Sequence, residues 1–137
     1  MPRPSRFVVA FSLSAVFLFL AAVPTSAADL SGCWTGCWQD CDGHHGPLQA
    51  SFCKCDDSQY HVVFTGRFWK IFPFRYSVTL NVVRQDGDKV ILEGESYLGR
   101  LFGTFTYSAW ATATDFVADY SSCKYQGQFR LQRPCYK

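Results

Sequence analysis

The seven residues from Gly32 to Trp38 read Gly-Cys-Trp-Thr-Gly-Cys-Trp, so one short unit occurs twice in succession. Successive side chains on a β-strand point to opposite faces of the sheet. Trp34 and Trp38 therefore share one face, and Cys33 and Cys37 share the other. The stretch predicts a first β-strand with an aromatic inner face and a thiol-bearing outer face.

The same alternation of apolar and polar residues continues from residue 29 to the end of the chain. Turn residues such as Asp86-Gly87-Asp88 divide it into short runs, and no helical apolar period of useful length occurs, which is typical of an all-β domain. We predict eight strands. Their predicted bounds are 30–39, 48–55, 60–69, 74–84, 89–96, 101–111, 116–121 and 125–133.

One face of every predicted strand is apolar, and the connections are short. An even number of such strands fits a single antiparallel up-and-down β-barrel, because closing the sheet removes its unpaired edges. Pairing across the turns places Trp38 and Phe64 inside the barrel and Glu93 outside it. The same register sets Gly94 opposite Gly103, where two facing glycines would leave an internal gap.

A glycine, a first-strand tryptophan and a late arginine, here Gly32, Trp34 and Arg133, make the chain similar to the calycin group of lipocalins and avidin-like barrels. In that group the tryptophan lies at the closed end of the barrel and the arginine packs across it. The resemblance implies the same for Trp34 and Arg133. It is a likeness of fold and does not imply a function.

The N-terminal segment has the pattern of a secretory signal. Arg3 and Arg6 precede an apolar run at 7–23, which ends in small residues. We predict a signal peptide at 1–28 and a barrel domain at 29–137, in a secreted or periplasmic protein; an uncleaved anchor is the alternative.

The stretch from Leu30 to Cys33 also resembles a lipobox, which would make the protein a membrane-anchored lipoprotein lipidated on Cys33. A membrane contact is expected only through the signal peptide or that lipid. The whole chain has 13 basic and 11 acidic residues, and loss of Arg3 and Arg6 makes these numbers equal. No basic excess then remains to bind nucleic acid.

Cysteines in a small exported domain are mostly paired, so we predict a barrel stapled by disulfides. The predicted strand order gathers the thiols at two rims, with one left unpaired. The seven candidates are Cys33, Cys37, Cys41, Cys53, Cys55, Cys123 and Cys135. The predicted pairs are Cys33–Cys55 and Cys53–Cys135 at one rim, with Cys33–Cys135 as the alternative, and Cys123 with Cys37 or Cys41 at the other.

Thiol and imidazole groups also suit zinc or copper, so a metal site at Cys41, His44 and His45 is an alternative use of this cluster. The cysteine spacings match no common zinc motif, and we expect no cofactor. No nucleophile elbow or phosphate loop occurs. Glu93 and Glu95 are interpreted as a solvated outer face, so the sequence favours a non-catalytic protein without excluding an enzyme.

An eight-stranded barrel is wide enough either to be filled by side chains or to hold one small ligand. The predicted lining residues are Trp34, Trp38, Phe64, Phe68, Tyr76, Phe105, Tyr107 and Phe129. We expect a small apolar ligand inside the barrel. The alternatives are a structural or protein-interaction module with a filled barrel, which would use the 69–72 stretch or the His44 loop as its contact surface, and a metal-binding protein.

Overall fold

The computed structural model describes residues 2, 28–68 and 71–133. Nearly all of the predicted signal peptide lies outside the described residues, as do Trp69 and Cys135. The elements are β1 (Gly32–Asp40), β2 (His45–Asp56), β3 (Gln59–Phe68), β4 (Phe72–Asp86), β5 (Lys89–Tyr97), α1 (Gly99–Phe102), β6 (Thr104–Ala111), β7 (Asp115–Ser121) and β8 (Gln126–Gln132).

The eight strands form one closed barrel in which each strand pairs with the next in sequence order. All of these pairs are antiparallel, and β8 pairs with β1 through contacts such as Phe129 opposite Trp38. The predicted eight-stranded up-and-down barrel is therefore confirmed. In the part of the chain that the structure describes, no helix is long and apolar enough to cross a membrane.

The alternating pattern sets which side chains form the core. Trp38 and Phe64 are buried, whereas Glu93 is exposed, as predicted. Aromatic rings meet across the barrel axis: the Phe64 ring centroid lies 5.1 Å from that of Phe129. The largest fully buried side chains are Trp34, Phe64, Phe116, Leu30, Leu48, Leu80, Leu92, Leu131, Val62, Val78 and Val90.

The register between β1 and β2 differs from the prediction. The Asp40 N–H donates to the His44 carbonyl at 2.7 Å, and the Gly43 N–H donates to the Asp40 carbonyl at 3.0 Å. Gly43 has a φ of +88°, a conformation that favours glycine. This tight turn is centred closer to the start of the connection than predicted. Cys33 therefore lies opposite Ser51 and not opposite Cys55.

The prediction of a disulfide-stapled barrel is wrong for the described cysteines. All six of them are free and exposed: Cys33, Cys37, Cys41, Cys53, Cys55 and Cys123. Cys55 lies four residues beyond Ser51, the partner of Cys33, which separates the two thiols by about 13 Å along the strands. Cys53 lies opposite His61. The closed strand ladder and the apolar core, without any bridge among these six, hold the described barrel together.

The connection between β5 and β6 corrects a second prediction. The one-turn helix α1 includes Leu101 and Phe102, which were predicted as the start of the sixth strand. Gly94 consequently lies opposite Tyr107, and Gly103 sits at the end of α1 with a φ of +70°. Leu101, at the predicted start of the sixth strand, is 78% exposed. No internal gap arises from two facing glycines.

Candidate functional site

The up-and-down order gives the barrel two different ends. One end, which we call the closed end, carries residues 28–31 and Arg133 together with the β2–β3, β4–β5 and β6–β7 connections. The open end carries the other four connections, β1–β2, β3–β4, β5–β6 and β7–β8. Trp34 lies towards the closed end and Trp38 towards the open end of the same strand, on the same face.

The closed end is sealed by chain that folds across it. The Trp34 Nε1–H donates to the Leu30 carbonyl at 2.9 Å, and the Leu30 N–H donates to the Tyr60 hydroxyl at 3.2 Å. The Arg133 guanidinium lies 4.6 Å from the Trp34 ring centroid and donates to the Asp29 carbonyl. A cation over an indole face is attracted by the ring quadrupole. The packing of Arg133 across Trp34 that the resemblance implied is therefore confirmed.

Beneath this seal the barrel is filled with aromatic rings. The Trp34 centroid lies 5.6 Å from that of Phe52 and 6.3 Å from that of Phe116. Phe52 and Phe116 meet edge to face at 5.2 Å. These are the separations of well-packed aromatic pairs. This half of the barrel is packed with aromatic side chains.

The open half encloses a cavity of about 590 Å³. Its lining is mainly aromatic: Trp38, Phe68, Phe72, Phe74, Tyr76, Phe102, Phe105, Tyr120, Tyr125 and Phe129, with Leu98, Asp40, His44 and Arg75. A second depression of about 650 Å³ lies on the outer wall between β4 and β7 and is lined mostly by polar side chains. The interior cavity is the better candidate site, because small-molecule sites are typically concave and apolar.

The cavity walls are rings that already contact one another. The Trp38 and Phe68 centroids are 5.1 Å apart, and the Phe105 and Tyr125 rings stack with an interplanar angle of 11°. The Trp38 Nε1–H donates to the Arg67 carbonyl at 3.2 Å, so the one polar atom of that indole is already paired. The walls therefore present carbon surface to the cavity.

Phenol groups supply the polar part of the cavity. The Tyr107 hydroxyl, just below the lining, donates to the Tyr76 hydroxyl at 3.1 Å. The Tyr120 ring lies over Gly127, where its hydroxyl occupies the place a Cβ would need. The Tyr120 hydroxyl makes no hydrogen bond to any other described residue, so it is available to a ligand.

These phenols stay protonated over the ordinary pH range. Burial raises the pKa of Tyr107 to about 12 and raises the pKa of Tyr76 well above its usual value. The pKa of Tyr120 is also raised, first by burial and then by the nearby charge of Asp40. Each hydroxyl is therefore a neutral donor that also accepts.

Five of the eight predicted lining residues line this cavity: Trp38, Phe68, Tyr76, Phe105 and Phe129. Trp34 belongs to the packed closed end, and Phe64 and Tyr107 lie in the core beneath the cavity. The prediction left out three lining residues that the strand alternation places on the inner face: Phe74, Tyr120 and Tyr125. Leu98 and Phe102 lie in a connection, where no period marks them.

The proposed metal ligands do not come together. No group of three or more histidine, cysteine, aspartate or glutamate side chains within 28–68 and 71–133 is placed to hold a metal ion. His44 lines the cavity, whereas His45 lies on the outer face of β2, with its Nδ1 3.3 Å from the Gly43 carbonyl. The metal alternative at Cys41, His44 and His45 is not supported.

No protein-family model matches the chain, and no curated protein matches its sequence. The chain is similar to solved structures of designed β-barrels. The redesigned barrel mFAP1 bound to DFHBI is 16% identical, with a TM-score of 0.57 over 76% of this chain and 94% of that one. EF1p2_mFAP2b bound to DFHBI is 20% identical, with a TM-score of 0.56 over 77% and 94%.

A third similar structure, a fluorescence-activating β-barrel designed de novo, is 12% identical, with a TM-score of 0.53 over 75% of this chain and 91% of that one. At these identities the likeness extends to the fold alone. The class that fold and cavity define is a small, closed, eight-stranded antiparallel β-barrel that is packed at one end and hollow at the other.

Proposed function

We propose that this protein binds one small, mainly apolar ligand in the open half of its barrel and carries out no reaction on it. The observation that carries the proposal is the cavity of about 590 Å³ with aromatic walls. That volume lies within the range of roughly 300–1,000 Å³ that is usual for small-molecule sites. Because the closed half is packed and should be rigid, we expect the cavity to be present before a ligand binds.

The walls favour a flat ligand with aromatic or conjugated character. Phe105 and Tyr125 stack nearly parallel, so a planar molecule can continue the stack. The Tyr120 hydroxyl offers one hydrogen bond inside the cavity and would fix the orientation of a ligand that carries an acceptor. Two of the similar designed barrels are bound to DFHBI, which supports ligand binding in a barrel of this kind.

The distribution of ionisable groups supports binding without catalysis. Of the ionisable side chains in the lining, Asp40 lies at the end of β1, His44 in the β1–β2 connection and Arg75 at an outward-facing position of β4. The groups deeper in the barrel are phenols with raised pKa values, which are poor general acids and bases at neutral pH. Away from the entrance, a ligand in this cavity meets apolar walls and phenol hydroxyls.

Export from the cytoplasm is part of the proposal and rests on the N-terminal pattern of Arg3, Arg6 and the apolar run at 7–23. Intact mass spectrometry of the protein recovered from the extracellular or periplasmic fraction tests it. A mass that lacks residues 1–28 supports a cleaved signal. A full-length mass retained in the cytoplasm contradicts export, and an added lipid mass on Cys33 supports the lipoprotein alternative.

Fluorescence of anilinonaphthalene sulfonate, which rises in apolar surroundings, tests ligand binding with a matched pair of variants. Leu98 lines the cavity, and Leu101, three residues away, is 78% exposed. Leu98→Trp should fill the entrance and weaken dye binding about tenfold or more, because it removes space that the dye occupies. Leu101→Trp adds the same ring outside the cavity and should leave binding unchanged. Equal binding by both variants and the wild type would contradict a site in the cavity.

A further inference from the structure

Two phenol groups meet at the floor of the cavity, which is its end next to the packed half. Tyr76 lines the cavity from β4, and Tyr107 lies in the core beneath it on β6. Their hydroxyl oxygens are 3.1 Å apart and share one hydrogen bond, although β4 and β6 are not neighbours in the barrel. The pair therefore reaches across the inside of the barrel.

Burial fixes the direction of this hydrogen bond. Tyr107 is 3% exposed, and its hydroxyl has no other hydrogen-bond partner among the described residues. If Tyr76 were the donor, the Tyr107 proton would be buried without an acceptor, and such a loss costs more than a neutral hydrogen bond contributes. Tyr107 is therefore the donor, and the Tyr76 hydroxyl accepts this bond and keeps its own proton.

The cavity is the side from which an acceptor can reach the Tyr76 proton. No described residue accepts it, and Tyr76 is part of the cavity lining. A hydroxyl that already accepts a hydrogen bond is a stronger donor, because the two bonds polarise one another. The cavity floor therefore presents a donor of fixed direction to a ligand.

The hydroxyl of Tyr120 imposes no such requirement on a ligand. It has no hydrogen bond to another described residue, so nothing sets its direction, and a free hydroxyl can donate or accept. Tyr120 therefore suits either kind of polar group on a ligand, whereas Tyr76 requires an acceptor.

The charges of the lining favour an acceptor without charge. Its ionisable groups other than phenols are Asp40, His44 and Arg75, and the one arginine lies at an outward-facing position of β4. A carboxylate on the floor would be buried beside phenols without a cation, which is costly. Burial also raises the pKa values of Tyr76 and Tyr107, so both remain neutral. A neutral carbonyl oxygen fits these surroundings.

We propose that the ligand is a flat, uncharged carbonyl compound, such as an aromatic ketone, whose oxygen accepts a hydrogen bond from the Tyr76 hydroxyl. Tyr107 is a positioning residue, because its own hydrogen bond keeps the Tyr76 hydroxyl a donor. The aromatic walls contact the flat remainder of the molecule. The inference rests on the proposed function, since it names the class of ligand that the same cavity binds.

Two molecules of nearly the same shape, fluorenone and fluorene, test the proposal. Fluorenone has a carbonyl group where fluorene has a methylene group. Displacement of anilinonaphthalene sulfonate from the full chain gives the affinity of each. Transfer from water differs between the two molecules but not between variants, so the ratio of the fluorenone affinity to the fluorene affinity is the informative quantity. In Tyr76→Phe this ratio should fall about fivefold below its wild-type value.

Further variants separate the Tyr76 proton from a general change in the cavity. Tyr107→Phe removes the positioning hydroxyl and leaves Tyr76 in place, so the ratio should fall about twofold. Tyr97→Phe removes the hydroxyl of a residue that is 67% exposed and should leave the ratio unchanged. Fluorene, which has no acceptor, should bind Tyr76→Phe as it binds the wild type, and this would show that the cavity is intact.

The infrared stretch of the fluorenone carbonyl is a second readout, because a hydrogen bond to the oxygen lowers its frequency. Fluorenone bound to the wild type should absorb at a lower frequency than fluorenone in a hydrocarbon solvent. In Tyr76→Phe the frequency should return towards the solvent value. The measurement on the wild type does not depend on the folding of any variant.

An equal affinity ratio in the wild type and in Tyr76→Phe would overturn the proposal, as would a bound carbonyl stretch at its hydrocarbon-solvent value. In either case, displacement of the dye by fluorene would leave the cavity as a ligand site. If neither molecule displaces the dye, ligand binding in the cavity is contradicted, and this proposal with it.

Discussion

Trp34 and Trp38 lie four residues apart on the same face of the same strand, yet they have opposite roles in the barrel. Trp34 is fully buried under Arg133 and bonds to Leu30, because chain from both termini of the domain folds across the closed end. Trp38 bonds to the wall through the Arg67 carbonyl and forms one side of a cavity. The same Gly-Cys-Trp unit therefore makes a plug at one end and a ligand-sized space at the other.

The largest expected difference between the two ends is in stability. Trp34→Ala should lower the free energy of unfolding by about 3–5 kcal/mol, since it empties a fully packed site. Phe102→Ala, at a side chain that is 41% exposed at the open end, should cost less than about 1 kcal/mol. Urea unfolding of the two variants gives both values. Similar losses would mean that the open half is packed as tightly as the closed half.

Alkaline pH should destabilise the barrel through its buried phenols. The pKa values of Tyr76, Tyr107 and Tyr120 are higher in the folded protein than the ordinary value of 10.0, so the unfolded chain ionises first. Their contribution is complete below pH 10 and falls as the pH rises, by at most about 1.4 kcal/mol per pH unit for each phenol. For Tyr107 the fall extends to a pH of about 12.

Unfolding measured across this pH range should show a shallower decline in Tyr107→Phe than in the wild type. The absorbance of phenolate provides the second readout: some tyrosines of the native protein should ionise only at a higher pH than in the denatured chain. Identical titrations of native and denatured protein would show that these hydroxyls are in contact with water.

The seal at the closed end should contribute a smaller amount. Arg133→Met removes the cation over Trp34 and the hydrogen bond to Asp29. It also removes the buried Arg133 Nε atom, which has no hydrogen-bond partner among the described residues, and this partly offsets the loss. We expect a net loss of about 1–2 kcal/mol in urea unfolding. Arg130→Met, at an exposed position of β8, is the control and should change stability by less than about 0.5 kcal/mol. A loss at Arg133 no larger than at Arg130 would refute the seal.

The smallest expected effect concerns the Tyr120 hydroxyl in the open half. Tyr120→Phe removes a cavity hydroxyl that has no hydrogen bond to another described residue, so stability should change by less than about 0.5 kcal/mol. Binding of anilinonaphthalene sulfonate, whose sulfonate oxygens are acceptors, should weaken about fivefold if the hydroxyl orients ligands. The control Tyr97→Phe changes an exposed hydroxyl outside the cavity and should leave binding as it is.

Strand positions could be predicted from the sequence because burial in a barrel alternates with a period of two. That period placed Trp38 and Phe64 inside and Glu93 outside, as the structure has them. Registers across turns could not be predicted in the same way. The turn at Gly43 and the helix at 99–102 each shift the pairing by four residues, which preserves the face of every side chain but changes its partner.

The disulfide and cavity predictions depended on those partners. A shift of four residues leaves Cys55 on the outer face but moves it about 13 Å from its predicted partner, far beyond bridging distance. The cavity depends on which rings meet at the barrel axis and on the Leu98 and Phe102 side chains of a connection, which carry no periodic signal. The sequence likewise could not place ionisable groups such as His44 at the cavity entrance, because that position depends on how the barrel closes.

The two indole N–H groups of β1 test the central claim directly. Their nuclear magnetic resonance signals can be followed in one titration with anilinonaphthalene sulfonate, since Trp38 lines the cavity and Trp34 lies in the packed half. If the barrel is hollow at its open end alone, the Trp38 signal should move to saturation at one dye per chain while the Trp34 signal stays in place. A Trp38 signal that does not move while dye is bound, or a Trp34 signal that moves as far as that of Trp38, would contradict it.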